Sequence, residues 1–95
     1  MWFGNLVTMK WWNDLWLNES FATFMSFVTM ERSEVLKEYH STLWVTFLKE
    51  KFWGISADQL SSTHPICTEI ESSDQAAALL DGISYGKGSA VLKQL

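Results

Sequence analysis

Residues 15–30 read Leu-Trp-Leu-Asn-Glu-Ser-Phe-Ala-Thr-Phe-Met-Ser-Phe-Val-Thr-Met, and this stretch decides the fold class. Apolar side chains fall on nearly every face of the helix that it predicts, which is typical of a helix surrounded by other protein. Ser33 can cap a second helix, which we expect Gly54 to end. The apolar positions of that helix recur at helical spacing, and they are Leu36, Tyr39, Leu43 and Phe47.

Shorter helices are predicted in the second half of the chain. Ser72 and Gln75 match the capping box that opens a helix. A last helix is predicted from near Tyr85 to Leu95. With one proline and no repeat or low-complexity tract, the chain has no linker that would divide it, so we expect one all-α unit over residues 1–95.

The composition limits the class of protein. Seven Lys and Arg against eleven Asp and Glu give a net charge of −4, the opposite of a nucleic-acid-binding surface. No run approaches the ~20 apolar residues of a membrane span, and the N-terminus lacks the features of a signal peptide. The single cysteine, Cys67, permits no internal disulfide and slightly favours a reducing compartment such as the cytoplasm. We expect Cys67 to be half-buried.

Large aromatic rings are unusually numerous. Six Trp, six Phe and two Tyr in 95 residues are more than an isolated domain can easily bury, because small domains bury only about 60–70% of their surface. We therefore expect part of this aromatic surface to pack against missing parts of the same protein, or to cause self-association.

Glu19 is the one charged residue between Asp14 and Glu31, in a helix that otherwise reads as buried. An unpaired buried carboxylate is unfavourable, so it must be neutral, solvated, or held by a cation or a metal. Residue chemistry leaves two interpretations open. In the first, Glu19 emerges at an exposed spot of the helix or meets Lys10. In the second, Glu19 is a ligand.

Tyr85 precedes Gly86-Lys87-Gly88 at a predicted helix start, where its phenol could point into a cleft and donate to a developing oxyanion. A half-buried structural tyrosine fits these residues equally well. His40 and His64 have no second His or Cys at ligand spacing, and we expect both to be surface or turn residues.

The runs WFGNLVT at residues 2–8 and WWNDLWLNESFA at residues 11–22 closely resemble the catalytic core of zinc aminopeptidases of the aminopeptidase N family. In that family these residues directly follow an H-E-x-x-H motif, and eighteen residues separate its second His from the glutamate that is the third zinc ligand. Glu19 stands at that spacing, with residues 1–18 before it. The resemblance implies a helical fragment of a thermolysin-like metallopeptidase catalytic domain.

A second run, DGISYGKGSAVL at residues 81–92, is similar to the family segment whose tyrosine stabilises the tetrahedral intermediate, and Tyr85 takes that role by resemblance. The run STHPI at residues 62–66 also resembles a family landmark. The likeness therefore covers nearly the whole chain, in order. It further predicts that Glu19 and Tyr85 share one cleft.

The function implied by this resemblance is zinc-assisted removal of N-terminal residues from peptides. This chain would supply the third zinc ligand, Glu19, and the oxyanion donor, Tyr85. Both His ligands and the general base of the motif would lie outside it, so we expect the isolated chain to be inactive. The alternative is a non-catalytic helical remnant that acts as a protein-interaction module.

Two positions depart from the family pattern. Ser20 stands where a glycine is usual, and Met1 occupies a position usually held by glutamine. With the H-E-x-x-H motif also absent, the chain resembles a fragment, a truncated gene product or a remnant.

Overall fold

A computed structural model describes residues 2–95, and Met1, the position where glutamine is usual, lies outside the described residues. Four α-helices form the framework of the described part. They are α1 (Leu15–Arg32), α2 (His40–Asp58), α3 (Ser73–Ala78) and α4 (Gly88–Gln94). No β-strand forms within residues 2–95, so the prediction of an all-α chain is confirmed.

Irregular helical turns connect these helices. Trp12–Asp14 is a 3₁₀ turn before α1, and Glu34–Tyr39 is a 3₁₀ turn before α2. Ile83–Lys87 is a wide π-helical turn that runs directly into α4. At the start of the described chain, Trp2–Leu6 forms one distorted turn in which Gly4 has a φ of 120°, a conformation that favours glycine.

The second helix differs from the prediction at both ends. Ser33 makes no side-chain capping bond, and regular α-helix begins only at His40. Gly54 does not end the helix, which continues to Asp58. Gly54 is buried where the turn Ile83–Lys87 crosses α2, so the missing side chain serves close packing and not helix termination.

The predicted capping box is present in modified form. The Oγ of Ser72 accepts a hydrogen bond from the Gln75 amide at 3.3 Å, as the pattern requires. The Gln75 side chain returns to the amide of Glu71, at 2.8 Å, and not to that of Ser72. The box therefore opens α3 with its reciprocal bond displaced by one residue.

The hydrophobic core is small and lies between α1, α2 and α4. Its buried members are Phe27, Leu43, Phe47 and Ala90, with Met30 and Trp44 packed against them. The rings of Phe27 and Phe47 meet edge to face, with centroids 5.0 Å apart. Such a contact adds about 0.5–1.5 kcal/mol beyond the area that it buries.

Much of the apolar surface stays in contact with solvent. The radius of gyration is 14.1 Å, against about 12 Å for a compact chain of this length. Helix α1, which the sequence predicts to be surrounded by protein, buries only Ser20 and Phe27. Contacts among residues 2–95 therefore do not surround α1 with protein as the sequence predicts. Within the same residues, no helix is both long and apolar enough to cross a membrane.

Candidate active site

Glu19 and Tyr85 are carried by two segments that one buried hydrogen bond joins. Glu19 lies on α1 and Tyr85 in the turn Ile83–Lys87. The Oγ of Ser20 donates to the carbonyl oxygen of Ser84 at 2.6 Å, and Ser20 is completely buried. Because Ser20 and Ser84 are the sequence neighbours of the two candidate residues, this bond brings their backbones together.

The Tyr85 phenol lies near enough to the Glu19 carboxylate for its pKa to respond to it. Burial is the largest cause that raises the pKa of Tyr85 to about 12, and the hydrogen bond with Glu19 and its negative charge act in the same direction. The phenol therefore keeps its proton throughout the neutral pH range. A neutral phenol beside a carboxylate can donate a hydrogen bond to an oxygen on which negative charge develops.

The turn Ile83–Lys87 also packs closely against α2, and glycines lie at the points of closest approach. A Cβ atom at Gly86 would collide with the backbone carbonyl of Glu50, and one at Gly54 would lie 2.5 Å from the Lys87 nitrogen. Backbone is less able to move aside than the end of a side chain. The turn can therefore approach α2 this closely only because both positions lack a side chain.

Trp53 of α2 supports the Tyr85 ring. The two rings stack with centroids 6.1 Å apart and an interplanar angle of 23°. At the end of the turn, Lys87 Nζ lies 2.7 Å from Asp58 Oδ2, and this bond holds the pKa of Asp58 below its usual value. Lys87 and Asp58 are both substantially exposed, so solvent screens the pair and it contributes little to stability.

Asp81 caps the beginning of the turn. Its Oδ1 accepts hydrogen bonds from the amides of Ile83, at 3.0 Å, and Ser84, at 3.1 Å. Its Oδ2 lies 2.6 Å from Nε2 of His64. Its backbone carbonyl accepts from the Tyr85 amide at 3.0 Å. One residue thus binds three successive backbone N–H groups of the segment that carries Tyr85.

The other candidate residues lie outside this cluster. His40 Nε2 is 3.1 Å from the carbonyl oxygens of Met30 and Ser33, where it links the end of α1 to the following turn. Cys67 is exposed, which corrects the expectation that it is half-buried. Lys10 lies over the ring of Trp11, 5.5 Å from its centroid, instead of forming an ion pair with Glu19.

A metal site would need further ligands. Among residues 2–95, no three or more His, Cys, Asp or Glu side chains cluster closely enough to hold a metal ion. Glu19 is therefore one carboxylate ligand at most, and the described residues do not complete a site around it.

Sequence reasoning missed the residues that build the support of Tyr85. The sequence predicts that the helix opened at Ser72 runs through Asp81, whereas α3 ends at Ala78 and Asp81 caps the next turn, as Asp two residues before an apolar helical segment can do. His64 reads as a turn residue with no function of its own. The stacking of Trp53 on Tyr85 joins residues far apart in the chain, and no local pattern predicts it.

Comparison with known proteins identifies the family. The sequence matches the peptidase family M1 domain over residues 1–95. It is 52% identical to aminopeptidase N of Streptomyces lividans over 96 aligned residues, which cover 100% of this chain and 11% of that protein. It is 48% identical to the probable aminopeptidase 2 of Sulfurisphaera tokodaii over 95 residues, 99% of this chain and 12% of that protein.

A third relative carries a different name. Tricorn protease-interacting factor F2 of Thermoplasma volcanium is 46% identical over 95 residues, which cover 99% of this chain and 12% of that protein. The chain therefore spans about an eighth or less of the length of these curated relatives. Because the domain match extends over all 95 residues, this chain belongs to peptidase family M1.

Proposed function

We propose that these residues form part of the catalytic domain of a zinc-dependent aminopeptidase that removes N-terminal residues from peptides. Glu19 is the third zinc ligand, and Tyr85 donates a hydrogen bond to the oxyanion of the tetrahedral intermediate. The observation that carries this proposal is the buried Ser20–Ser84 bond, which joins the segments of Glu19 and Tyr85, and the effect of the Glu19 carboxylate on the pKa of Tyr85 agrees with it. A metal ligand and an oxyanion donor must reach the same substrate carbonyl, so their proximity is a requirement of the mechanism.

Zinc fits this site only if other ligands complete it. Catalytic zinc is held by three protein ligands and leaves one position open. Glu19 offers one carboxylate, and residues 2–95 hold no cluster of three ligands. The remaining ligands and the general base therefore come from outside these residues. When bound, zinc supplies a Lewis acid that polarises the substrate carbonyl and lowers the pKa of water.

The properties of Tyr85 suit an oxyanion donor. A pKa of about 12 leaves the phenol protonated throughout the neutral pH range. Its backbone is held by the Asp81 carbonyl and its ring by Trp53, so the hydroxyl is oriented before substrate arrives. Donors fixed in advance are effective because they do not have to reorganise during the reaction.

Exposed aromatic residues indicate that this part of the molecule packs against additional protein. Trp2, Trp11 and Trp12 are 74%, 64% and 65% exposed. Trp12 borders two open grooves of about 330 and 360 Å³. We propose that the remainder of the peptidase covers this surface in a longer protein, and that the isolated chain self-associates through it.

The proposed roles are tested by zinc content and turnover in a longer protein that carries this sequence. Tyr85→Phe removes only the phenol oxygen, so turnover should fall while zinc stays bound. Glu19→Ala should lose zinc as well as activity. Tyr39→Phe, the same change at the other tyrosine, is the matched control and should alter neither. Full turnover in Tyr85→Phe, or stoichiometric zinc in Glu19→Ala, would exclude the role assigned to that residue.

A further inference from the structure

His64 lies between two hydrogen-bond acceptors. Its Nδ1 is 2.8 Å from the carbonyl oxygen of Pro65, and its Nε2 is 2.6 Å from Oδ2 of Asp81. A carbonyl and an ionised carboxylate can only accept, so both ring nitrogens have to donate. Only the protonated imidazolium carries N–H on both nitrogens. The geometry therefore selects the charged form of His64.

The Asp81 carboxylate divides its two oxygens between His64 and the turn. Oδ2 faces the imidazole, while Oδ1 accepts from the amides of Ile83 and Ser84. A carboxylate that one partner holds loses rotational freedom, so its other oxygen is fixed relative to those amides. His64 thus fixes the rotamer of the cap at the start of the segment that carries Tyr85.

We propose that His64 is a positioning residue for Tyr85, which it holds in place through the Asp81 carboxylate that caps the turn Ile83–Lys87. The proposal rests on the role proposed for Tyr85 in the reaction, since positioning affects turnover only if the phenol takes part. The chain of contacts runs from His64 to Asp81 and from Asp81 to the amides of Ile83, Ser84 and Tyr85. Its last member, Tyr85, lies in the segment that the Ser20–Ser84 bond joins to that of Glu19.

Charged groups around His64 strengthen this arrangement. Burial lowers the pKa of His64, but the bonds to Pro65 and Asp81 and the negative charges of Asp81 and Asp58 outweigh burial and raise the pKa above 6.5. Asp58, at the end of α2, is itself bonded to Lys87 from the end of the turn. Because the folded pKa exceeds the unfolded one, the stabilisation is complete below the unfolded value and is lost as pH rises through the folded value.

Hydrogen–deuterium exchange of the 95-residue chain tests the contact independently of catalysis. His64→Ala should increase exchange at the Ile83, Ser84 and Tyr85 amides, relative to intrinsic rates. His64→Gln, which can still donate one N–H to Asp81, should restore part of the protection. His40→Gln changes the other histidine, the first residue of α2, and should leave this segment as it is. Unchanged protection in His64→Ala would overturn the proposal.

Kinetics of a longer protein that carries this sequence test the consequence. His64→Ala should lower kcat by about 10- to 100-fold with little change in KM or zinc content, because misplacement of a catalytic group by an ångström has effects of this order. In the unmodified protein kcat should fall as pH rises through the pKa of His64, and this step should be absent from His64→Gln. An unaltered kcat and pH profile in both variants would contradict the proposal.

A Tyr85→Phe background separates the two proposals. If His64 acts through Tyr85, adding His64→Ala to Tyr85→Phe should cause almost no further loss of kcat. A full additional loss would mean that His64 acts elsewhere, which excludes the positioning role. If Tyr85→Phe alone leaves kcat unchanged, the role of Tyr85 fails, and the exchange experiment still decides whether His64 fixes the turn.

Discussion

The Ser20 hydroxyl donates a 2.6 Å hydrogen bond to the Ser84 carbonyl, and this bond joins two segments that are 64 positions apart in the sequence. Both residues are buried. Glu19 and Tyr85 are their immediate neighbours, so the bond fixes the relation between the proposed metal ligand and the proposed oxyanion donor. The same Ser20 side chain also fills the space opposite Gly88, where a Cβ atom would collide with its Oγ.

Gly88→Ala should destabilise the chain because the added methyl group has no space beside Ser20. We expect a loss of about 1–3 kcal/mol in the free energy of unfolding, as for other overpacked cores. The measurement is urea denaturation followed by tryptophan fluorescence at low protein concentration. Ser56→Ala, at an exposed position of α2, is the control and should change stability little.

A double variant shows whether the Ser20 side chain is the cause. Ser20→Gly alone should be destabilising, since it removes a buried hydrogen bond worth about 1 kcal/mol and places glycine inside a helix. Added to Gly88→Ala, it should cause less loss than the sum of the two single changes, because it opens the space that the new methyl group needs. Strict additivity would mean that the two positions do not compete for the same space.

The sequence predicts the helices better than the contacts between them. The apolar pattern of residues 15–30 correctly predicts α1, and the capping box at Ser72 correctly predicts the start of α3. The prediction that Gly54 ends a helix is wrong because glycine both ends helices and permits close packing, and only the crossing turn distinguishes the two. Local patterns cannot describe a partner from a distant segment.

The candidate site shows the same division. Family resemblance leads to Glu19 and Tyr85, whereas residue chemistry alone leaves both with ordinary structural interpretations. The role of His64 depends on the position of Asp81. The role of Asp81 depends in turn on backbone amides that lack a helical hydrogen-bond partner because they stand at the beginning of a helical turn. Such relations arise from the fold, so they are visible only in the structure.

The isolated chain should self-associate. Trp2, Trp11 and Trp12 are exposed, and burial of such rings is favourable by about 25 cal/mol for each Å² of apolar surface. Size-exclusion chromatography with light scattering should give a mass above the 10.9 kDa of a monomer. The double variant Trp11→Ser, Trp12→Ser should shift the population toward monomer. Val35→Ser, which removes an apolar side chain elsewhere that is 88% exposed, should not.

A sharp monomer peak for the unmodified chain, together with cooperative thermal unfolding, would refute this prediction. It would also mean that the chain stays monomeric although no partner covers its aromatic surface.

The isolated chain should not hydrolyse aminoacyl anilides, even with zinc added. One carboxylate binds zinc weakly in water, and residues 2–95 contain no cluster that would complete the site. The measurement compares the chain with its Glu19→Ala variant at equal zinc concentration. Hydrolysis by the unmodified chain above the level of that variant would show that the prediction is wrong.

Glu19→Gln should lower the pKa of Tyr85 without returning it to the ordinary value of 10.0. Burial is the largest cause of the rise to about 12, and it remains after the substitution, while the negative charge of Glu19 is removed. The measurement is absorbance titration of tyrosinate in a Tyr39→Phe background, where Tyr85 is the only tyrosine. The titration is followed only where circular dichroism shows that the helices persist.

The direction of this effect follows from the charge. Ionised Tyr85 would place a second negative charge beside Glu19, so removing the first charge makes ionisation easier and the midpoint falls. Glu69→Gln, an exposed carboxylate in the connection before α3, is the matched control and should leave the midpoint in place. An unchanged midpoint in Glu19→Gln, or an equal decrease in Glu69→Gln, would mean that Glu19 and Tyr85 do not interact specifically in solution. The geometric basis for assigning a ligand and an oxyanion donor to one site would then be lost.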